Sequence, residues 1–292
     1  MRNDYIWKNV IEQMFEDFCF FFIPDVAEVI DFSKKYDFLD KELEQISLDS
    51  VENPRYLDKL IKVYLKNGNE QWILIHTEVQ GYQDKDFAER MFIYFYRIYD
   101  KFKKKVLSFA ILTDKNKSYK PDTFKYEFYG VKQEYRFRLY KVVEQEDSQL
   151  MNNKNPFSMV VLAAKYSLKA GNTDNIKIGF KLKLMKLMIQ RNYAREQIRY
   201  LFKFINGIIK LSDEMKQEIF YKKFKKIAGG TIMEILTDFE EVAMRKGMEK
   251  GMEKEKIMIA KNLISFDDDI EKIAKVTGLP IQKIKKLKKE MV

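Results

Sequence analysis

Residues 57–80 run Leu57-Asp58-Lys59-Leu60-Ile61-Lys62-Val63-Tyr64-Leu65-Lys66-Asn67-Gly68-Asn69-Glu70-Gln71-Trp72-Ile73-Leu74-Ile75-His76-Thr77-Glu78-Val79-Gln80. Leu57 to Leu65 alternates enough to predict a strand, Lys66-Asn67-Gly68-Asn69 supplies turn residues, and Gln71 to Val79 reads as a partner strand, so the stretch predicts a β-hairpin. Strand side chains alternate with period 2. Asp58, Leu60 and Lys62 therefore share one face of the first strand, and His76, Glu78 and Gln80 share one face of the second. If the two polar faces coincide, two carboxylates converge beside a lysine, a histidine and an amide. Carboxylate pairs with open positions suit Mg²⁺, which prefers oxygen ligands and keeps waters that a substrate phosphate can replace. The competing reading is a row of polar residues on a solvent-facing strand surface.

Outward from the hairpin, Phe38, Leu39, Leu43 and Ile46 recur at helical spacing, with Glu42 at the edge of that stripe. Gly81 closes the second strand, and Phe87 to Phe102 restores helical periodicity through Phe87, Met91, Phe92, Phe95, Ile98 and Tyr99. Val106 to Leu112 predicts a strand, with further strands at Thr123 to Phe128 and Tyr135 to Val143. The first half is thus an α/β or α+β core. After Asn152-Asn153-Lys154-Asn155-Pro156 the pattern turns helical, over Ser158 to Ala170, Ile176 to Gln190, Ala194 to Ile209 and Asp213 to Lys226. A long helix is expected from about Ile232 to Ile264, through a tract that repeats Lys-Gly-Met-Glu every four residues. Its glycines each cost roughly 1 kcal/mol of helix stability, so the tract reads either as a close helix-pairing surface or as a solvated linker. Asp267 to Glu290 predicts two short helices joined at Thr277-Gly278-Leu279-Pro280, as a helix-turn-helix or a simple helical hairpin. The domains expected are 1–150, 151–231 and 232–292.

Composition narrows the chemistry. The 292 residues are 46% hydrophobic and 34% charged, with 5 Pro and 11 Gly, which excludes wholesale disorder. One cysteine, Cys19, excludes an internal disulfide and a cysteine-based zinc site, and one histidine, His76, leaves a Ser-His hydrolase triad or a metal motif a single position to use. Any metal would be held mainly by oxygen. The apolar run Phe18 to Ile23 is surrounded by Glu12, Glu16, Asp17 and Asp25, which a signal peptide would not tolerate, and no window reaches a membrane-spanning length. A cytoplasmic protein with no membrane partner is expected. Residues 1–140 hold 23 Lys and Arg against 24 Asp and Glu, while residues 141–292 hold 31 against 20. The basic second half suits nucleic acid or another anionic surface, or is simply a solvated lysine-rich surface.

Asp58 followed twenty residues later by Glu78-Val79-Gln80, within this order of strands and helix, resembles the PD-(D/E)XK nuclease superfamily. More specifically, the chain resembles the bacterial recombination-promoting nuclease/putative transposase family. The resemblance rests on Phe38 to Leu43, Asp58 to Leu65, Ile75 to Gly81, Arg90 to Tyr99 and Ala110 to Asp114, with the Gly-Met-Glu-Lys tract fitting by pattern. It implies a restriction-endonuclease-like core, a central mixed sheet flanked by helices, followed by a mostly helical second half. It also implies an endonuclease that cuts DNA with Mg²⁺ or Mn²⁺, associated with recombination and mobile elements. Asp58 and Glu78 would bind the metal, with the Val79 carbonyl and the Glu42 carboxylate as further ligands.

Gln80 stands where the superfamily has lysine, although glutamine is usual in the family. An amide orients a water but is a very poor base. Lys62 is the candidate replacement cation, and an exposed hairpin lysine is the alternative. His76 either assists or is structural, and Arg90 and Arg97 either contact phosphate or pair with Asp86 or Asp100. The rival function is a catalytically degenerate DNA-binding or oligomeric interaction protein on the same fold. Without internal duplication, a double-strand cut implies a homodimer or higher oligomer, joined through the C-terminal helices.

Overall fold

The computed structural model describes residues 3–39, 58–78, 84–228, 256–266 and 268–290. The chain divides into two compact units, Met1–Gly229 and Gly230–Val292. The expected boundary near residue 150 falls inside the first unit. That unit opens with α1 (Asn3–Gln13), α2 (Phe15–Phe22) and α3 (Pro24–Ala27), so the apolar run at Phe18 becomes a core helix. Phe15, Phe18, Cys19 and Phe22 are all buried there.

The sheet contains β1 (Asp37–Phe38), β2 (Asp58–Tyr64), β3 (Glu70–Glu78), β4 (Val106–Leu112) and β7 (Arg138–Lys141), in the order β1-β2-β3-β4-β7. β1 to β3 are antiparallel neighbours, whereas β3–β4 and β4–β7 are parallel. Phe38 pairs with Ile61 as a strand residue rather than opening a helix; residues 40–57 lie outside those described. The β2–β3 turn closes through Leu65 N–H to the Asn69 carbonyl at 2.7 Å and Gly68 N–H to the Leu65 carbonyl at 2.8 Å. Gly68 has φ +85°, which glycine adopts without Cβ strain.

The β3–β4 crossover is α4 (Phe87–Phe102), which buries Phe87, Met91, Tyr94 and Ile98 along one stripe. Phe87 and Met91 pack on Ala110 and Leu112, and Tyr94 and Ile98 pack on Leu60. The opposite sheet face meets the N-terminal helices: Phe109 lies 6.0 Å from Phe18 and 5.6 Å from Phe22, centroid to centroid. Strands β5 (Thr123–Phe128) and β6 (Val131–Arg136) form a separate ribbon. Phe92 and Phe95 of α4 cover it, stacking on Phe124 at 4.9 Å and Tyr135 at 4.8 Å. The expected strand Tyr135 to Val143 is two strands in different sheets, broken at Phe137, whose N–H donates to the Asp122 carbonyl at 3.0 Å.

The helices that complete the unit are α5 (Asp147–Asn152), α6 (Pro156–Ala170), α7 (Asp174–Gln190), α8 (Arg195–Ile208) and α9 (Glu214–Lys225). Asn155 caps α6 by accepting from Phe157 N–H at 2.8 Å, and Pro156 occupies the first turn. Every residue from Pro156 to Tyr166 is buried, which makes α6 the central helix. Trp7 of α1 packs edge-on to Phe204 of α8 at 5.2 Å.

In the second unit, a helix over 256–265 (α10) is followed by α11 (Ile270–Thr277) and α12 (Ile281–Glu290), the helix pair that the periodicity predicts. The Lys-Gly-Met-Glu tract at 246–254 lies outside the described residues. Among the described residues no helix is long and apolar enough to cross a membrane.

Candidate functional site

The β2–β3 register sets Asp58 directly opposite His76, Leu60 opposite Leu74 and Lys62 opposite Trp72. Residues opposite one another share a face, so Asp58 and His76 do, and Glu78, two residues along β3, joins them. Asp58 and Glu78 are thus diagonal cross-strand neighbours, a relation that spans about 7–8 Å. At the described positions, the register puts residues 58, 76 and 78 on one face of the hairpin. In the parallel part of the sheet Glu78 is level with Leu112, and Leu112 with Lys141, on that same face. Ala110 and Leu112 are fully buried beneath Phe87 and Met91. Positions 58 and 78 therefore lie where β2 begins and β3 ends, level with the ends of β4 and β7. Ligands of parallel sheets gather at such carboxyl ends.

Several polar groups are fixed at this end. Lys141 and Asp114 form an ion pair in which each side chain is 2% exposed. Asp114 also accepts from Asn116 N–H at 2.9 Å, and the Lys141 ammonium lies 5.3 Å from the Tyr119 ring centroid. The Tyr119 hydroxyl donates to the Asp84 carbonyl at 2.8 Å. The Asp84 carboxylate accepts from Arg90 Nη1 at 2.5 Å. These ties connect the segment after β3, the start of α4 and the ends of β4 and β7.

Of the residues expected from sequence, Asp58, His76 and Glu78 come together by register. Lys62 does not join them. Its partner Trp72 is six positions from Glu78 along β3, about 20 Å at strand rise. The Lys62 ammonium instead pairs with Asp37 at 2.9 Å and lowers the Asp37 carboxyl below its ordinary range, the hydrogen bond being the largest cause. Lys62 is thus a β1–β2 cross-strand partner of Asp37. Arg90 pairs with Asp84. Arg97 is half-buried on α4. Glu42, Val79 and Gln80 lie outside the described residues. Among the described residues no group of three or more His, Cys, Asp or Glu side chains is disposed to hold a metal ion.

No protein-family model, curated protein or solved structure matches the chain. The site therefore rests on its own geometry. Sequence reasoning passed over Asp84, Asp114, Tyr119 and Lys141, which are far apart in the chain. The signal available was Thr113-Asp114, an acid directly after the apolar strand Val106–Leu112.

Two cavities lie elsewhere in the first unit. One of about 240 Å³ is lined by Lys181, Asn206, Lys210, Leu211, Gln217 and Tyr221. The other, about 220 Å³, is lined by Ile6 and Val10 of α1 and Tyr200 and Phe204 of α8, among others.

Proposed function

We propose that the chain is a metal-dependent DNA endonuclease on a PD-(D/E)XK core, of the recombination-promoting nuclease/putative transposase kind, acting in the cytoplasm. The observation that carries this reading is the diagonal relation of Asp58 and Glu78 on one face of adjacent strands. The antiparallel β1-β2-β3 arrangement, with β4 added in parallel through α4 and helices on both sheet faces, supports it. So does the basic second half.

The donor chemistry fits a hard divalent cation. Two carboxylate-bearing positions about 7–8 Å apart on adjacent strands would suit an oxygen-ligated divalent cation. In this reading Asp58 and Glu78 would hold Mg²⁺ or Mn²⁺, with the Glu42 carboxylate and Val79 carbonyl as further ligands. The cation supplies a Lewis acid to the phosphate and lowers the pKa of a water. Gln80 orients the attacking water through its amide, and Arg97 contacts the DNA backbone. His76, the register partner of Asp58, orients that carboxylate. One site per chain makes a single nick, so a double-strand break takes two copies of the chain.

A second reading, a DNA-binding protein that no longer cuts, is favoured by Gln80, an amide where the nuclease superfamily carries lysine. Incubation of supercoiled plasmid with Mg²⁺, Mn²⁺ or EDTA separates the two. Metal-dependent nicking that disappears in folded Asp58→Ala and Glu78→Ala variants supports the nuclease. Binding without cleavage under both metals moves the second reading ahead.

A further inference from the structure

The second unit packs α10, α11 and α12 around one core, formed by Ala260, Ile264, Ile273, Leu279, Ile284 and Leu287. Only Gly278-Leu279-Pro280 joins α11 to α12. Gly278, at φ +67°, ends α11 by donating its N–H to the Ala274 carbonyl at 2.8 Å. The Thr277 hydroxyl donates to the Ile273 carbonyl at 2.7 Å and accepts from Leu279 N–H at 3.3 Å. Leu279 is 7% exposed, so the turn itself is anchored in the core. The Pro280 carbonyl then accepts from Lys283 and Ile284 N–H and starts α12. The direction of α12 is thus set by packing on both sides of a three-residue turn, the construction of a helix-turn-helix.

What α12 presents outward is equally defined. Ile284 and Leu287 face the core, whereas Ile281, Gln282, Lys285 and Lys286 are exposed on the opposite stripe. The helix carries five lysines, at 283, 285, 286, 288 and 289, against one acid, Glu290. Its apolar stripe is consumed by the core, so α12 has no second apolar face with which to enter a lipid surface. A cationic helix with an amide and one aliphatic side chain in its first turn matches the B-DNA major groove, which admits a helix and displays adenine edges to Gln and thymine methyls to apolar groups.

We propose that this three-helix unit is a second DNA-binding site, separate from the hairpin site, with α12 lying in the major groove of duplex DNA. Gln282 and Ile281 meet base edges and Lys285 and Lys286 meet the flanking backbone, since the second helix of such motifs reads bases with its N-terminal residues. The deep, narrow major groove of duplex RNA does not admit the helix. No metal is required.

The test is fluorescence anisotropy of the full chain on a mixed-sequence DNA duplex in EDTA, across about 50 to 200 mM salt, so that a failed nuclease reading does not affect the outcome. In the Lys285→Ala/Lys286→Ala variant the slope of log affinity against log salt becomes shallower by about 2, one increment of about 0.9 per lost phosphate contact. Affinity at about 100 mM salt falls at least fivefold, while Lys125→Ala/Lys132→Ala, exposed lysines of the β5–β6 ribbon, changes neither quantity. Selection from a randomised duplex pool supplies the second readout: Gln282→Ala loses a preference for adenine at one position while keeping the wild-type salt slope. Unchanged affinity and slope in the double variant overturn the proposal. So does equal binding of duplex RNA or of phosphatidylserine vesicles with the same lysine dependence.

Discussion

Lys181 offers a quantitative test of the helical half of the first unit. It lies on α7, is 4% exposed, and holds its ammonium 4.2 Å from the centroid of the Phe220 ring. No carboxylate among the described residues forms an ion pair with it. Burial pulls its pKa from 10.5 down to about 8. A difference of that size corresponds to a cost on the order of 3 kcal/mol for keeping the charged form in place, and the cation–π contact returns about 1 kcal/mol. Lys181→Met fills the same space without the charge and is expected to stabilise the protein by about 2 kcal/mol at pH 7. Below about pH 8 the lysine is charged both folded and unfolded, so the wild type bears the full penalty. Between about 8 and 10.5 the unfolded chain holds the proton that the folded chain has released, so wild-type stability rises with pH relative to the variant. Above that range both states are neutral and the gap closes. Urea unfolding of the two proteins across this range measures the gap. A gap that is independent of pH, or a variant less stable than wild type at pH 7, refutes the reasoning.

Further expectations follow from the sheet. Lys141→Met leaves Asp114, 2% exposed, without its cation and should cost about 3–5 kcal/mol in denaturant unfolding; adding Asp114→Leu should recover most of that loss, giving a large coupling in the double-mutant cycle. Lys62→Ala should leave plasmid nicking unchanged, because its ammonium is engaged by Asp37 far from Glu78; a large loss of turnover with intact folding would return Lys62 to the site. Burial, assisted by the Glu16 charge, pushes the Cys19 thiol far above its ordinary range. A thiol-reactive disulfide should therefore label native protein only at the rate of unfolding, and prompt labelling of folded protein would contradict the buried position of α2.

Local signals carried much of this fold. Phe87–Phe102 has the limits that its periodicity predicts, because its apolar stripe faces one sheet surface and Lys103, at φ 50°, turns the chain out of the helix. The hairpin was legible because period-2 alternation on both sides of an Asn-Gly turn defines faces as well as strands. Pairing partners were not legible. Phe38 carries a helical pattern with Leu39 and Leu43, yet hydrogen bonding to β2 makes it a strand residue. Tyr135 to Lys141 reads as one run, but β6 takes β5 as its neighbour and β7 takes β4, a choice made by residues far away in sequence. The site divides in the same way. Spacing singled out Asp58 and Glu78 as candidates, whereas the Asp114–Lys141 pair, which joins segments 27 residues apart, left no local signal of its partner.

The central claim is that Asp58 and Glu78 form one cation site. Titration of Mn²⁺ into DNA-free protein tests it without any requirement for turnover, using wild type, Asp58→Asn, Glu78→Gln and the double variant. One shared site predicts that each single substitution weakens binding of the site ion nearly as far as the double does, with all four proteins folded. Binding that is unaffected by both substitutions, or losses that simply add, would contradict it.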